Sequence, residues 1–253
     1  MSIALLTAIS VVTAGLSYFK ALSGLGAGGQ LIPIYIWLGL SIAEAKAYAL
    51  LAITSSLTSA TFDNFRANRV ELRLGVPIIV TAVVFAPVGA KLSLSIPDPV
   101  MKALFAAFLI YAGINALRPK RKRLIDDSMR EGPPRLFILS AIGLVAGLFS
   151  GLLGVGGGGV IAPLMLSMGY QAKRVAVITA LAAPLAALTG FVSYAAAGTC
   201  SGPLIGLIGI TAAIGGYAGN RTMHGFMPER TVRYLIGVMS LLFAAKMISD
   251  LLE

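Results

Sequence analysis

Long apolar runs separated by short polar gaps make up most of the chain. A membrane-spanning helix needs about 20 apolar residues, because a rise of ~1.5 Å per residue must cover ~30 Å of hydrocarbon. Eight stretches come close to this length: residues 3–22, 47–62, 74–96, 100–117, 136–153, 175–197, 203–222 and 231–251. Two further runs, 31–40 and 160–170, are about half as long. The pattern predicts an all-α, polytopic membrane protein.

The composition supports a membrane protein and excludes a water-soluble fold. Of the 253 residues, 57% are hydrophobic and only 12% are charged, and the mean hydropathy is +0.89. Soluble domains average roughly 45 to 50% apolar residues, so this chain has too few charged side chains to cover its apolar surface in water. Residues 1–22 have neither a basic start nor an A-x-A-like cleavage site, and we expect them to be a retained first membrane segment.

The distribution of basic residues predicts the topology. The formal net charge is +10, but Lys and Arg lie in the gaps between apolar runs, which favours a lipid bilayer over nucleic acid as the partner. If the short runs also cross, ten segments with the linker 118–135 in the cytoplasm place 16 basic residues inside and 4 outside. With eight crossings, 11 basic residues would lie inside and 9 outside. The positive-inside rule therefore favours ten segments in the cytoplasmic membrane.

An internal repeat divides the chain. A shift of 130 positions superposes glycines and prolines of the first half on those of the second. The matches are Gly24, Gly26, Gly28, Gly29, Pro33, Gly39 and Gly89 with Gly154, Gly156, Gly158, Gly159, Pro163, Gly169 and Gly219. We therefore predict a first repeat at 1–117, a basic cytoplasmic linker at 118–135 and a second repeat at 136–253. About five segments per repeat is an odd number, so the second repeat is predicted to be inverted.

Each repeat carries a glycine cluster before its half-length segment. Both clusters fit the G-x-G-x-x-G pattern, but a nucleotide site also requires a preceding strand and an acidic residue about 20 positions later. The flanks here are membrane segments, and no carboxylate lies near Ile178. The glycines instead predict helical hairpins that break within the membrane and leave backbone N–H groups free for an anion. Tight helix packing is the alternative, as for Gly143, Gly147 and Gly151.

The candidate substrate-binding residues belong to these two turns and to hydroxyls on the helices that follow. The set comprises Gly26, Ala27, Gly28, Gly29, Gln30, Gly156, Gly157, Gly158, Gly159, Ser55, Ser56 and Thr179. Hydroxyls in membrane helices either face a pathway or bridge to neighbouring helices. Glu44, Lys46, Asp63 and Arg66 are expected at the membrane interfaces rather than centrally. Lys91 and Arg221 occupy corresponding positions, as helix-end anchors or as attractants for anions.

The chain offers little for catalysis. Cys200 is the one cysteine and His224 the one histidine, so a disulfide, a Cys-rich metal site and a Ser-His-Asp triad have no basis. We predict no enzyme activity, no metal and no cofactor. His224 is expected in a solvated loop, with proton coupling as the alternative.

The segments GLGAGGQLIPIYIWLG and GVGGGGVIAPLMLSMG, 130 residues apart, resemble the sulfite exporter TauE/SafE family, also called the toluene-sulfonate uptake permeases. The resemblance implies a secondary transporter that moves sulfite, organosulfonates or related sulfur anions, usually outward, and that forms a homodimer. It also implies an A-x-x-T-S step after the short segment. Here Ala176 to Ala180 keeps Thr179 and lacks the serine, and the first half has neither hydroxyl. Thr54, Ser55 and Ser56 are candidate substitutes.

Two alternatives from other functional classes stay open on the sequence alone. An anion channel would use the same glycine turns without alternating access and would carry far larger currents. A membrane receptor or scaffold would bind nothing centrally, so that Gly26→Leu or Gly156→Leu would leave its activity intact.

Overall fold

The described residues of the computed structural model are 3–23, 31–66, 72–117, 133–168, 170, 172–200, 202–225 and 228, with isolated positions up to 249. Within them the helices are α1 (Ile3–Ser23), α2 (Leu31–Trp37), α3 (Ile42–Arg66), α4 (Leu72–Leu94), α5 (Asp98–Leu117), α6 (Pro133–Leu153), α7 (Gly158–Ser167), α8 (Ala172–Ala196) and α9 (Gly202–Gly225). These residues contain no strand. The predicted all-α class is confirmed.

The helices are suited to a membrane. Among the described residues, four segments are long and apolar enough to span one: Leu72–Leu94, Leu136–Leu153, Arg174–Ala196 and Gly202–Thr222. Side chains exposed on α4 include Val76, Val80, Val84 and Val88, spaced one turn apart. Such an apolar stripe is stable against lipid and unfavourable in water. The predicted last segment, 231–251, lies almost entirely outside the described residues.

Helix α3 is longer than its apolar run predicts, because a polar cap starts it. The backbone N–H of Ser41 donates to Glu44 Oε2 at 2.9 Å, and the N–H of Glu44 donates back to Ser41 Oγ at 3.3 Å. This reciprocal pair is a capping box, which satisfies two amides at the helix start. The helix therefore begins at Ile42 rather than at residue 47, and Lys46 lies inside it.

The helix bounds repeat at the interval found in the glycines. Adding 130 to the bounds of α1 gives 133–153, the bounds of α6, and adding 130 to those of α3 gives 172–196, the bounds of α8. The packing repeats as well. Helix α4 packs along α6, and α9 packs along α1. Gly89 approaches the Leu148 carbonyl oxygen in the first pair, and Gly219 approaches the Tyr18 carbonyl oxygen at the equivalent place in the second.

Helices α3 and α8 cross at the centre and run antiparallel. Leu50 of α3 lies against Gly190 of α8, whereas Thr61, near the other end of α3, donates its hydroxyl to the carbonyl of Ala180. Between these contacts, Thr54 Oγ1 donates to the Pro184 carbonyl oxygen at 3.4 Å. Since 54 + 130 = 184, equivalent positions of the two halves meet at this contact.

Glycines on α6 permit close approach to α4. A Cβ added at Gly147 would lie 2.5 Å from the Ala82 carbonyl oxygen, and Gly143 and Gly151 meet the carbonyls of Ile78 and Ala86 in the same way. Only residues without a side chain allow two backbones to come so near. Packing therefore explains this glycine stripe, as its spacing of four predicts.

Candidate functional site

The second glycine cluster forms a turn that interrupts the chain between α6 and α7. Helix α6 ends at Leu153 and α7 begins at Gly158. Gly154, Gly156 and Gly157 have φ values of +73°, +74° and +62°. L-residues with a side chain rarely adopt this left-handed conformation, so the glycines are what allow the break.

The turn leaves several amides without acceptors. The N–H of Gly154 donates to the Ser150 carbonyl, and the N–H groups of Val160 and Ile161 share the Gly157 carbonyl, each at 2.9 Å. In the described part of the chain, no acceptor is recorded for the N–H groups of residues 155, 156, 157 and 159. Residues 154–158 are buried. Buried amides without acceptors are rare and costly, and successive amides in such a turn form an anion-binding concavity.

The turn reaches the level where the two halves meet. A Cβ added at Gly156 would lie 2.5 Å from Ile53 Cδ1. Ile53 is adjacent to Thr54, whose hydroxyl bonds Pro184 across the α3–α8 contact. The open amides therefore lie near the middle of α3, a helix of 25 residues.

The start of α2 contacts the same turn. A Cβ at Gly154 would be 3.0 Å from Ile32 Cδ1, and Ile32 belongs to the first turn of α2. Gly26, Ala27, Gly28, Gly29 and Gln30 lie outside the described residues. The role predicted for them stays a prediction. What the structure does show is that the segment they lead into lies beside the second turn.

The three predicted hydroxyls lie in different surroundings. Ser56 is buried, its Oγ donates to the Ile53 carbonyl at 3.3 Å, and its backbone meets Gly216 of α9. Ser55 Oγ lies 3.6 Å from the position of a Cβ at Gly209, also on α9. These two therefore contact α9, and their predicted role in the site stays a prediction. Thr179 is fully buried, and its Oγ1 has no hydrogen-bond partner in the described structure.

Other hydroxyls compensate for prolines inside helices. Pro184 has no N–H for the carbonyl of Ala180, one turn earlier, and the hydroxyl of Thr61 donates to that carbonyl instead. In the other half, Thr189 Oγ1 donates at 3.4 Å to the Val83 carbonyl, one turn before Pro87. These bonds explain hydroxyls on α3 and α8 by packing alone.

A buried lysine lies next to the glycine turn. Lys46 is 4% exposed, and its Nζ donates to Ser93 Oγ at 2.7 Å. Ser93 also hydrogen-bonds the Tyr194 hydroxyl, which donates to the Gly151 carbonyl at 2.9 Å. Lys46 was predicted at a membrane interface, but it is buried within the first turns of α3. The capping-box pattern of Ser41 and Glu44 is the sequence signal that could have placed Lys46 inside α3, one turn after its start.

Arginines at helix ends pair with aromatic rings. The guanidinium carbons of Arg66, Arg174 and Arg221 lie 4.7, 5.9 and 5.5 Å from the ring centroids of Phe62, Tyr170 and Tyr217. Each ring precedes its arginine by four residues; Phe62–Arg66 and Tyr217–Arg221 lie one helical turn apart within α3 and α9, whereas Tyr170 lies before the start of α8. All three arginines fall on the side predicted to face the cytoplasm. Aromatic rings and cations at one level are typical of a membrane interface.

Asp63 and Lys91 also lie near helix ends. Asn220 Nδ2 donates to Asp63 Oδ2 at 2.8 Å, which joins α3 to α9. Lys91 is exposed on α4. His224 was expected in a loop, but it lies in the last turn of α9 (Gly202–Gly225); its side chain lies outside the described residues.

The chain was compared with known proteins. The sequence model of the family described as Sulfite exporter TauE/SafE matches residues 8–247. A protein of Methanocaldococcus jannaschii named "Probable membrane transporter protein" is 29% identical over 189 residues, which cover 71% of this chain and 68% of that protein. No solved structure matches the chain.

Proposed function

This chain belongs to the sulfite exporter TauE/SafE family, and from that membership we propose a secondary transporter that exports a small sulfur-containing anion across the cytoplasmic membrane. Sulfite and organosulfonates are the proposed substrates. The broader class, a membrane transporter, follows from the family and from the related protein of Methanocaldococcus jannaschii. The outward direction rests on the family description alone.

The observation that carries the proposal is the buried turn at residues 154–159. A small anion that leaves water must regain hydrogen bonds, and the turn offers N–H groups that have no recorded acceptor in the described structure. Backbone amides bind an anion without a fixed counter-charge, so the anion can also leave. The fully buried Thr179 hydroxyl on α8 is the proposed side-chain ligand of the second half.

The antiparallel crossing of α3 and α8 supports two inverted repeats. The bounds of these helices differ by 130 residues, yet the helices run in opposite directions where they touch. The start of α3 and the end of α8 therefore lie on the same side. Burial raises the pKa of the Cys200 thiol after α8, and the negative charge of Glu44 at the start of α3 raises it further. Ten segments give this arrangement, whereas eight would place Glu44 and Cys200 on opposite sides. Inverted repeats that rock about a shared site are the usual basis of alternating access.

A second copy of the chain is the proposed protein partner. Gly202 and Gly206 on α9 are exposed and have no atom within 4 Å of an added Cβ. Small residues on a lipid-facing surface allow helices of two protomers to approach closely. A homodimer through this face of α9 is consistent with that exposure.

The proposal is tested by uptake into proteoliposomes that contain the purified protein. Radiolabelled sulfite, sulfate, thiosulfate and a small alkyl sulfonate are compared, with protein-free vesicles as the control. We expect saturable uptake of at least one sulfur anion, slowed when unlabelled anion is absent from the opposite side. No flux of any sulfur anion would refute the substrate class. Currents far above carrier rates would identify an anion channel instead.

A further inference from the structure

The structure points to an ionic ligand for the transported anion, and we propose that Lys46 provides it. In this proposal, which rests on the proposed function, the ammonium group of Lys46 binds the anion together with the open amides of residues 155–157. Ser93 and Tyr194 position the ammonium group. Lys46 would thereby determine the selectivity of the site for anions.

The first step is the burial of a cation. Lys46 is 4% exposed inside a helix that packs against four other helices, α1, α2, α8 and α9, and Ser93, its hydroxyl partner, is buried as well. Removing an ammonium group from water is expensive unless hydrogen bonds or opposite charge compensate for it. Charged side chains held within membrane helices are for that reason uncommon and tend to serve ion or substrate pathways.

The second step is the position of the lysine. A Cβ at Gly154 would lie 2.9 Å from Lys46 Cβ and 3.0 Å from its Cα. The lysine backbone therefore touches the first residue of the glycine turn. Its side chain runs toward the last turn of α4, where Ser93 accepts its hydrogen bond. The backbone of Lys46 is thus adjacent to the turn whose amides at residues 155–157 form the proposed anion site.

The third step is the network that fixes the ammonium group. Ser93 accepts from Lys46 and hydrogen-bonds Tyr194, and Tyr194 donates to the Gly151 carbonyl in the last turn of α6. Four helices, α3, α4, α8 and α6, supply these groups. Each hydroxyl has a defined partner, so the lysine is held in a constant position beside the turn. A preorganised group binds its ligand with less loss of entropy.

A purely structural role is the alternative explanation for the buried Lys46. The helix ends near Ser93 and Gly151 carry partial negative charge, which a cation stabilises. The second half of the chain argues against this as the whole explanation. The position equivalent to Lys46 is Ala176, which is buried on α8 without any charge. The repeated packing therefore forms in one half without a lysine, so the fold does not require one.

The test compares Lys46→Met with Lys46→Arg in the full-length protein. Methionine keeps the length of the side chain and removes the charge, whereas arginine keeps the charge. The exposed Arg66 at the far end of α3, the same helix, provides the control, Arg66→Met. For each variant the half-saturation concentration for sulfite uptake is measured in proteoliposomes, after size-exclusion chromatography has confirmed the folded fraction. Sulfite-dependent protection from thermal unfolding in detergent is measured on the same samples.

We expect Lys46→Met to raise the half-saturation concentration at least tenfold, which corresponds to about 1.4 kcal/mol. Lys46→Arg should recover most of that loss, and Arg66→Met should match the wild type. Ser93→Ala leaves the charge of Lys46 and removes its hydroxyl partner, so it should raise the half-saturation concentration by less than Lys46→Met does. If Lys46→Met does not fold, Ser93→Ala decides whether Lys46 binds the anion. An unchanged half-saturation concentration in Lys46→Met, or in Ser93→Ala where that variant decides, would overturn the assignment.

The outcomes separate this inference from the proposed function. Wild-type uptake with an unaffected Lys46→Met variant refutes the role of Lys46 and leaves the transporter intact. Wild-type protein that sulfite protects from unfolding but that shows no uptake refutes the transporter, and the protection curves of the variants then decide the role of Lys46. Neither uptake nor protection by any sulfur anion in the wild type refutes both.

Discussion

Replacing Gly156 by alanine probes the glycine turn directly. At φ +74° an L-residue adopts a left-handed conformation, which costs roughly 1–2 kcal/mol. The added Cβ would also lie 2.5 Å from Ile53 Cδ1 and 2.7 Å from Cγ2, and overpacking of this kind costs about 1–3 kcal/mol. The total, about 2–5 kcal/mol, is a large part of the typical stability of about 5–15 kcal/mol.

The two contributions can be separated by matched variants. Gly157→Ala, at φ +62° with its nearest neighbour 3.5 Å away, should carry only the backbone cost. Gly198→Ala, at φ +78° with open space around it and outside the turn, should carry the same cost without affecting transport. Ile53→Ala removes all three side-chain atoms that the new Cβ would meet. In a double-mutant cycle, the Gly156→Ala substitution should therefore destabilise the Ile53→Ala background less than the wild type, and the difference measures the steric contribution.

Thermal unfolding in detergent measures the stability, and sulfite uptake per folded molecule measures the function. Gly156→Ala should lower both the stability and the uptake. The clash between the new Cβ and Ile53 forces the turn to shift, and its amides move with it. If Gly156→Ala is no less stable than Gly157→Ala, the steric argument is wrong. If its uptake per folded molecule equals that of the wild type, the turn is not the anion site.

Three further variants test the packing and the topology. Thr61→Val leaves the Ala180 carbonyl without a donor and should lower the unfolding temperature, at a cost between about 0.6 and 1.7 kcal/mol. Gly151→Ala drives a Cβ into the Ala86 carbonyl and should reduce the yield of folded protein far more than Gly206→Ala, which has open space. Burial raises the pKa of the Cys200 thiol, so maleimide labelling should be slow at neutral pH and accelerate as pH rises. A membrane-impermeant maleimide should reach Cys200 from outside intact cells; labelling only from inside would exclude ten segments.

Much of the fold follows from patterns that act locally. The length of an apolar run fixes whether a helix can span, and the glycine clusters mark where a helix cannot continue. The predicted break at residues 154–159 is present as a turn between α6 and α7. The start of α3 was misplaced, because the apolar run alone did not register the capping box formed by Ser41 and Glu44.

The polar part of the site depends on contacts between distant segments, which a single sequence does not display. Lys46 and Ser93 are 47 residues apart, and Tyr194 and Gly151 are 43 apart. Nothing local to Ser55 or Ser56 shows that these residues contact α9. A hydroxyl on a membrane helix gives the same sequence signal whether it bonds a substrate or replaces the missing N–H of a proline on the next helix.

The differences between the halves bear on how such a carrier would work. The backbone repeats closely, with the bounds of α3 and α8 related by 130 residues. The side chains proposed for the site do not repeat: Lys46 corresponds to Ala176, and Thr179 corresponds to Ala49. A symmetric scaffold makes inward-facing and outward-facing states similar in energy, because each half can adopt the conformation of the other. A single buried cation on one half would break that equality and bind the anion with different strength in the two states. An anion can shift such an equilibrium only through a difference of this kind.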